Sequence, residues 1–415
     1  MTEPRRPPSD RTPARRRTAF AQTGGDVRRW GEARIADVLA DALRAADEAP
    51  SDALTHGVHV YPARMHPGIA AALCDRFVRP GARMLDPFCG SGTVLLEAML
   101  RGGITLGVDL NPLALRIAAI KCARVDAPQR EAVAIVANEV AEATLAGVRA
   151  RAHVMAPLSP EERAYYQPHV LRELAVLHGF IGEVPDPFVR EALTMVFSAM
   201  IAKFSRQRAD TSDETVEKHI GKGVPTRFFA GKAEELCERW AASFEALPPD
   251  VPAPKLIERD VRHVGGRVRA GTVACIITSP PYVGTYDYVD HHARRWEWLG
   301  LRPRAMRAHE VGARRNYGRG ADPAQWEREL GEVLRATMTT LAADGVALWL
   351  VGDGEIAGRR IDAATQLRQL APSCGAAVVA IASQPRADWR GGEPRAEHLV
   401  LLRADGRGAS TPDEG

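Results

Sequence analysis

The sequence predicts an α/β protein: a doubly wound, mostly parallel sheet of seven strands, split by a long helical insertion. Three observations carry this reading. Residues 83–121 alternate strand and helix patterns around a glycine-rich turn, five further apolar, β-branched runs lie beyond residue 250, and residues 126–250 show helical periodicity only.

The chain has 415 residues, 45% hydrophobic and 26% charged, which is ordinary for a globular protein with a large core. No apolar run approaches the roughly 20 residues that span a bilayer, and no apolar signal core follows the first residues, so a cytoplasmic protein without membrane contact is expected. The six cysteines form no C-x-x-C pair, so neither a disulfide framework nor a zinc site is indicated, and no metal is expected. Residues 1–29 hold eight arginines against Glu3, Asp10 and Asp26 in a Pro- and Thr-rich mixture with few apolar residues; this predicts a disordered basic tail. Its arginines resemble both a nucleic-acid arm and an organelle transit peptide, although the prolines oppose an amphipathic helix. The last residues, 406–415, read as a second disordered tail.

Residues 30–125 should then hold a helix (31–49), a second helix opened by Pro67 and running to about Val78, a strand (83–86), the glycine loop, a helix (93–101), a strand (104–109), and a helix capped by Asn111 with Pro112 in its first position. The helical insertion (126–250) carries a mixed polar and charged stretch, 203–229, suited either to target recognition or to scaffolding. Residues 251–405 return to strands at 255–260, 273–278, 346–353, 376–383 and 397–404.

In "DPFCGSGT" (86–93), Gly90 and Gly92 permit a tight turn and a close backbone approach to a ligand at a helix N-terminus. Asp109 ends the next strand, about 20 residues after Asp86, where a carboxylate can accept both hydroxyls of a ribose. A nucleotide-triphosphate loop would need Lys before its Ser or Thr after the last glycine, and Thr93-Val94 stand there; a dinucleotide loop would want a third glycine or alanine where Leu95 stands. An unliganded turn stays open.

The apolar run 274–277 leads into "TSPPY", where Pro280 and Pro281 donate no backbone hydrogen bond and push Ser279 out of the helical region. By itself this corner fits two readings equally: a turn closing a strand with Tyr282 as rim packing, or a stiff wall at a strand's carboxyl end, where open α/β sheets bind ligands.

"DPFCGSGT" followed by "GVDLNP" and "TSPPY" together resemble the S-adenosylmethionine-dependent amino-methylating DNA methyltransferases, over about residues 56–123 and 255–404. The resemblance implies a Rossmann-like, seven-stranded class I methyltransferase sheet and S-adenosylmethionine as cofactor. It places Asp86, Pro87, Phe88, Gly90, Gly92 and Thr93 around the methionine part, Asp109 on the ribose and Asp260 on the adenine amino group. "YPARMHPG" is similar to the element that helps hold the methionine end, which implicates Tyr61 and Pro62.

By the same resemblance Ser279, Pro280, Pro281 and Tyr282 are catalytic. The lone pair of an exocyclic base amine is delocalised into the ring, so direct methylation needs the nitrogen held in line with the sulfonium methyl. The Ser279 hydroxyl and the carbonyl before Pro281 can accept the amino protons, and Tyr282 can stack on a flipped or single-stranded base. Cys275 lies too early, within the strand, to serve as the nucleophile of ring-carbon methylation. Ser in place of Asp or Asn before Pro-Pro-Tyr favours cytosine N4 in DNA; the same chemistry on RNA, on adenine N6 or on a protein amide, and a silent binding protein, are the competing readings. A cognate restriction nuclease is the partner that the family implies.

Residues 294–319 carry eight arginines against Glu297 and Glu310, interleaved with Trp296, Trp298 and Tyr317. Arg294, Arg295, Arg314 and Arg315 are the candidate phosphate contacts, against the alternative of a solvated basic face with core tryptophans. His66, His291 and His292 read as packing or phosphate contacts, since no acidic partner lies at ligand spacing.

Overall fold

A computed structural model describes residues 26–208, 214–386 and 395–405. Its strands are β1 (Arg28–Gly31), β2 (Arg83–Asp86), β3 (Ile104–Asp109), β4 (Lys255–Glu258), β5 (Val273–Thr278), β6 (Leu341–Gly352), β7 (Gly354–Ile356), β8 (Arg359–Ile361), β9 (Ala376–Arg386) and β10 (Arg395–Ala404). The main sheet has the order β1-β9-β10-β6-β5-β2-β3-β4, and β7 and β8 form a separate hairpin. Pairing from β4 through β3, β2 and β5 to β6 is parallel; β10 inserts antiparallel between β6 and β9. All seven predicted strands are present.

An eighth strand, β1, pairs antiparallel with β9 at the far edge. This corrects the boundary of the predicted tail: Arg28 and Arg29 are ordered by backbone pairing, while residues 1–25 and 406–415 lie outside the described residues. All four residues of β1 are exposed, so no apolar alternation announced the strand. Gly31 then turns the chain at φ +90° into the helix Ala33–Glu48; a Cβ there would meet the Val379 carbonyl at 2.2 Å.

The sheet is buried on both faces, as parallel sheets are. Met84, Cys275, Ile277, Leu348 and Leu350 face the helices Ala33–Glu48, Pro67–Phe77 and Thr93–Leu100. Leu85, Ile276, Ala347 and Trp349 face the helices Pro323–Met338 and Ala363–Leu370.

Residues 126–250 form helices at Ala127–Arg149, Pro160–Arg163, Pro168–Glu183, Pro187–Phe204 and Val224–Ala246. Most open with proline in the first turn, where the missing N–H would be unpaired anyway; Asp126, Ser159 and Asp186 cap three of them. Their core is continuous with Leu113 and Ile117 of the helix after β3 and with Trp296 and Trp298 beyond the Pro-Pro corner. Among the described residues no helix is long and apolar enough to cross a membrane.

Candidate active site

The strand order reverses between β2 and β5, and a crevice opens there at the strands' carboxyl ends. Across it, the Thr278 hydroxyl at the end of β5 donates to Asp86 Oδ1 at the end of β2, at 2.7 Å, and the Phe88 amide donates to the same oxygen at 3.1 Å. Asp86 is buried; burial pushes its carboxyl up to about 7 against the pull of those two donors.

The loop after β2 folds onto β3. Gly90, at φ +46°, donates its amide to Asp109 Oδ2 at 2.8 Å, and the Asn111 amide donates to Asp109 Oδ1 at 2.8 Å. Burial raises the Asp109 carboxyl to about 6, opposed by these backbone donors. Each carboxylate oxygen keeps one acceptor site, enough for a diol. Asn111 in turn accepts from the Leu113 and Ala114 amides, starting the next helix as expected. Gly92 serves packing: at φ +78°, a Cβ would lie 2.9 Å from that of Ala118.

One cavity gathers Tyr61, Asp86, Pro87, Phe88, Gly90, Thr93, Asp109, Asp260, Ser279 and Pro281. Pro62, Gly92, Pro280 and Tyr282 do not line it. The Tyr61 ring lies against Gly90, its oxygen 3.3 Å from the donating Asn111 amide nitrogen. Asp260 stays on the wall but is engaged by both Nε and a terminal nitrogen of Arg262, so an adenine amine would share it.

Tyr282 corrects the stacking expectation. Ser279 and Pro281 border the cavity, whereas Tyr282 is 7% exposed, packed on Gly352, with its hydroxyl donating to Glu397 Oε1 at 2.7 Å and Arg386 5.2 Å from the ring centroid. The aromatic wall is built by Phe88, Tyr61 and Tyr288, the last two stacked with centroids 6.4 Å apart. Tyr288, which donates its amide to Glu310 at 2.6 Å, was missed, as were Arg64 and Met306 on the same wall; only the alternation of "TYDY" after the corner signalled it.

The arginine segment is also corrected. Arg295 is 1% exposed and donates to the Ser198 carbonyl at 3.0 Å, too deep for a phosphate, and Arg294 lies 3.4 Å over the Tyr165 ring while pairing with Glu162. Both tie the corner to the helical insertion. Arg315 bridges Asp287 and Glu310, and Arg314 pairs with Asp287 while remaining 43% exposed. Trp296, Trp298 and Tyr317 are buried and unavailable to bases. His66 caps the helix Pro67–Phe77, and His292 packs on Tyr61.

Residues 57–155, which carry the glycine loop and Asp109, match the family model UPF0020, the RMKL-like methyltransferase domain. The cofactor is S-adenosylmethionine. The residues fit it: a diol acceptor at Asp109, a loop that comes close only because Gly90 lacks a side chain beside Tyr61, and apolar walls from Leu110 and Val261. The type II methyltransferase M.MvaI of Kocuria varians is 44% identical over 63 residues, 14% of this chain and 14% of that protein. M.MjaII, a type II methyltransferase of Methanocaldococcus jannaschii, is 34% identical over 71 residues, 17% and 13% of the two chains. The tRNA (guanine(10)-N2)-dimethyltransferase of Methanothermobacter thermautotrophicus is 42% identical over 52 residues, 12% and 16%. The matched stretches thus span only a small part of each of these relatives.

Proposed function

We propose that the protein methylates an exocyclic amine of a base in nucleic acid, with cytosine N4 in DNA as its target. The observation that carries this is the placement of Ser279 and Pro281 on the wall of the cofactor cavity, at the sheet's switch point and opposite Asp109 and Gly90. When bound, S-adenosylmethionine supplies an electrophilic methyl on its sulfonium. The Ser279 hydroxyl and the carbonyl before Pro281 would accept hydrogen bonds from the amine's N–H groups and hold its lone pair toward that methyl, and the proton the amine gives up on methylation would pass to solvent. Tyr288, on the wall shared with Tyr61, takes the stacking role that Tyr282 cannot fill in this arrangement.

Two of the matched relatives are named type II methyltransferases, which supports DNA and a cognate restriction nuclease as partner. The third acts, by its name, on N2 of a guanine in tRNA, also an exocyclic amine, and supports RNA as the second reading. Serine at position 279 favours cytosine, since its small side chain suits a single pyrimidine ring close to the sulfonium. Incubation with methyl-labelled cofactor and duplex DNA or RNA, followed by hydrolysis to nucleosides, decides. Label in N4-methylcytosine is expected; label in N6-methyladenine overturns the base, and label in RNA alone overturns the substrate.

A further inference from the structure

Beneath the glycine loop lies a buried lysine with no carboxylate partner among the described residues. Lys121, in the helix Pro112–Lys121, is 0% exposed. Its ammonium donates to Ser91 Oγ at 3.0 Å and reaches Thr93 Oγ1 at 3.5 Å, and it forms no ion pair among the described residues. Arg64 adds a second positive charge on the cavity wall while spending its own N–H groups on the carbonyls of His56 and Ser51. Buried charges are ordinarily paired, because desolvation is otherwise uncompensated. An ammonium only donates, so each hydroxyl that accepts from Lys121 must point its own proton elsewhere. Ser91 and Thr93 both line the cavity.

We infer that Lys121, assisted by Arg64, is the countercharge for a carboxylate bound at this end of the cavity, the amino-acid end of the cofactor, and that it acts through the hydroxyls of Ser91 and Thr93. The inference rests on reading the cavity as the S-adenosylmethionine site. It makes Lys121 a positioning residue that selects ligands carrying the carboxylate and fixes how far the sulfonium reaches toward Ser279. Burial, and then the Arg64 charge, push the Lys121 ammonium well below its ordinary pKa, and a carboxylate bound nearby would oppose both and hold the proton on the amine.

The test compares S-adenosylmethionine with its decarboxylated analogue, which differs by that one group, by calorimetry on the whole chain. The wild type is expected to prefer the carboxylate-bearing ligand. Lys121→Met should shrink that preference by about tenfold or more, as for the loss of a charge-assisted contact, with affinity for the decarboxylated analogue nearly unchanged. Replacing an unpaired buried charge by an apolar side chain of similar length should leave the ligand-free Tm equal or higher. Ser91→Ala breaks the relay without touching the lysine, should show the same selective loss, and decides the matter if Lys121→Met does not fold. Equal loss for both ligands in the two variants overturns the inference and leaves Lys121 as scaffolding. If the wild type binds neither ligand, the cofactor reading itself falls.

Discussion

At Asp109 the carboxylate is already held by the Gly90 and Asn111 amides, so on the proposed assignment a ribose would find it oriented before it arrives. Asp109→Ala should therefore weaken S-adenosylmethionine by about 2 kcal/mol or more; a folded variant with unchanged calorimetric affinity would sink the ribose assignment. The same group sets a pH dependence. Its pKa is raised to about 6, so acidification through that value protonates the free-state carboxylate and removes an acceptor. Cofactor affinity should fall as pH drops from 7 to 5, and Asp109→Asn should remove the lower part of that fall, leaving the part near 7 that belongs to Asp86. Such residue-scale details were partly legible in the sequence. The Asn111 cap, the positive-φ glycines and the carboxylates at strand ends follow from local chemistry, whereas which face Tyr282 takes depends on what lies across the sheet.

The Pro-Pro corner and β6 are fitted to each other as elements: a Cβ on Gly352 would lie 2.4 Å from the Tyr282 ring. Gly352→Ala should push Tyr282 outward and move Ser279 with it. Turnover should drop at least about tenfold with cofactor affinity retained, since misplacing reacting groups costs rate before binding; an equal loss of both would mean that the corner is only packing. At the opposite edge, β1 depends on Gly31, where φ is +90° and the Val379 carbonyl leaves no space. Gly31→Val should cost about 2 kcal/mol or more and lower the Tm. A Tm equal to that of the wild type would return Arg28 and Arg29 to the tail.

For the whole molecule, the question is which charges remain for nucleic acid. Arg294 and Arg295 join the corner to the helical insertion, Arg314 and Arg315 pair with Asp287, and Arg307 pairs with Asp290, so the exposed arginines of the basic segment with no ion pair among the described residues are Arg302, Arg304 and Arg319. Replacing those three with alanine should flatten the slope of log affinity against log salt by about 2 to 3 units if each meets a phosphate. Arg295→Ala should instead lower stability with little change in slope. A slope untouched by the triple variant would make this a solvated face.

By itself the sequence determined the parallel sheet, the glycine loop with Asp86 and Asp109, the helix starts at Pro67 and Pro112, and the Ser-Pro-Pro corner. Each is written in contiguous residues whose backbone preferences agree with the fold. Tertiary structure alone decided the rest. The strand at Arg28–Gly31 exists because β9 offers an edge, and backbone pairing leaves no mark in side-chain periodicity. Arg295 and Trp298 are buried because helices from the insertion cover them, and Tyr288 joins Tyr61 although 227 positions separate them in the chain. Local pattern reports what a segment prefers; burial and cavity walls are properties of pairs of segments, and only packing brings those pairs together.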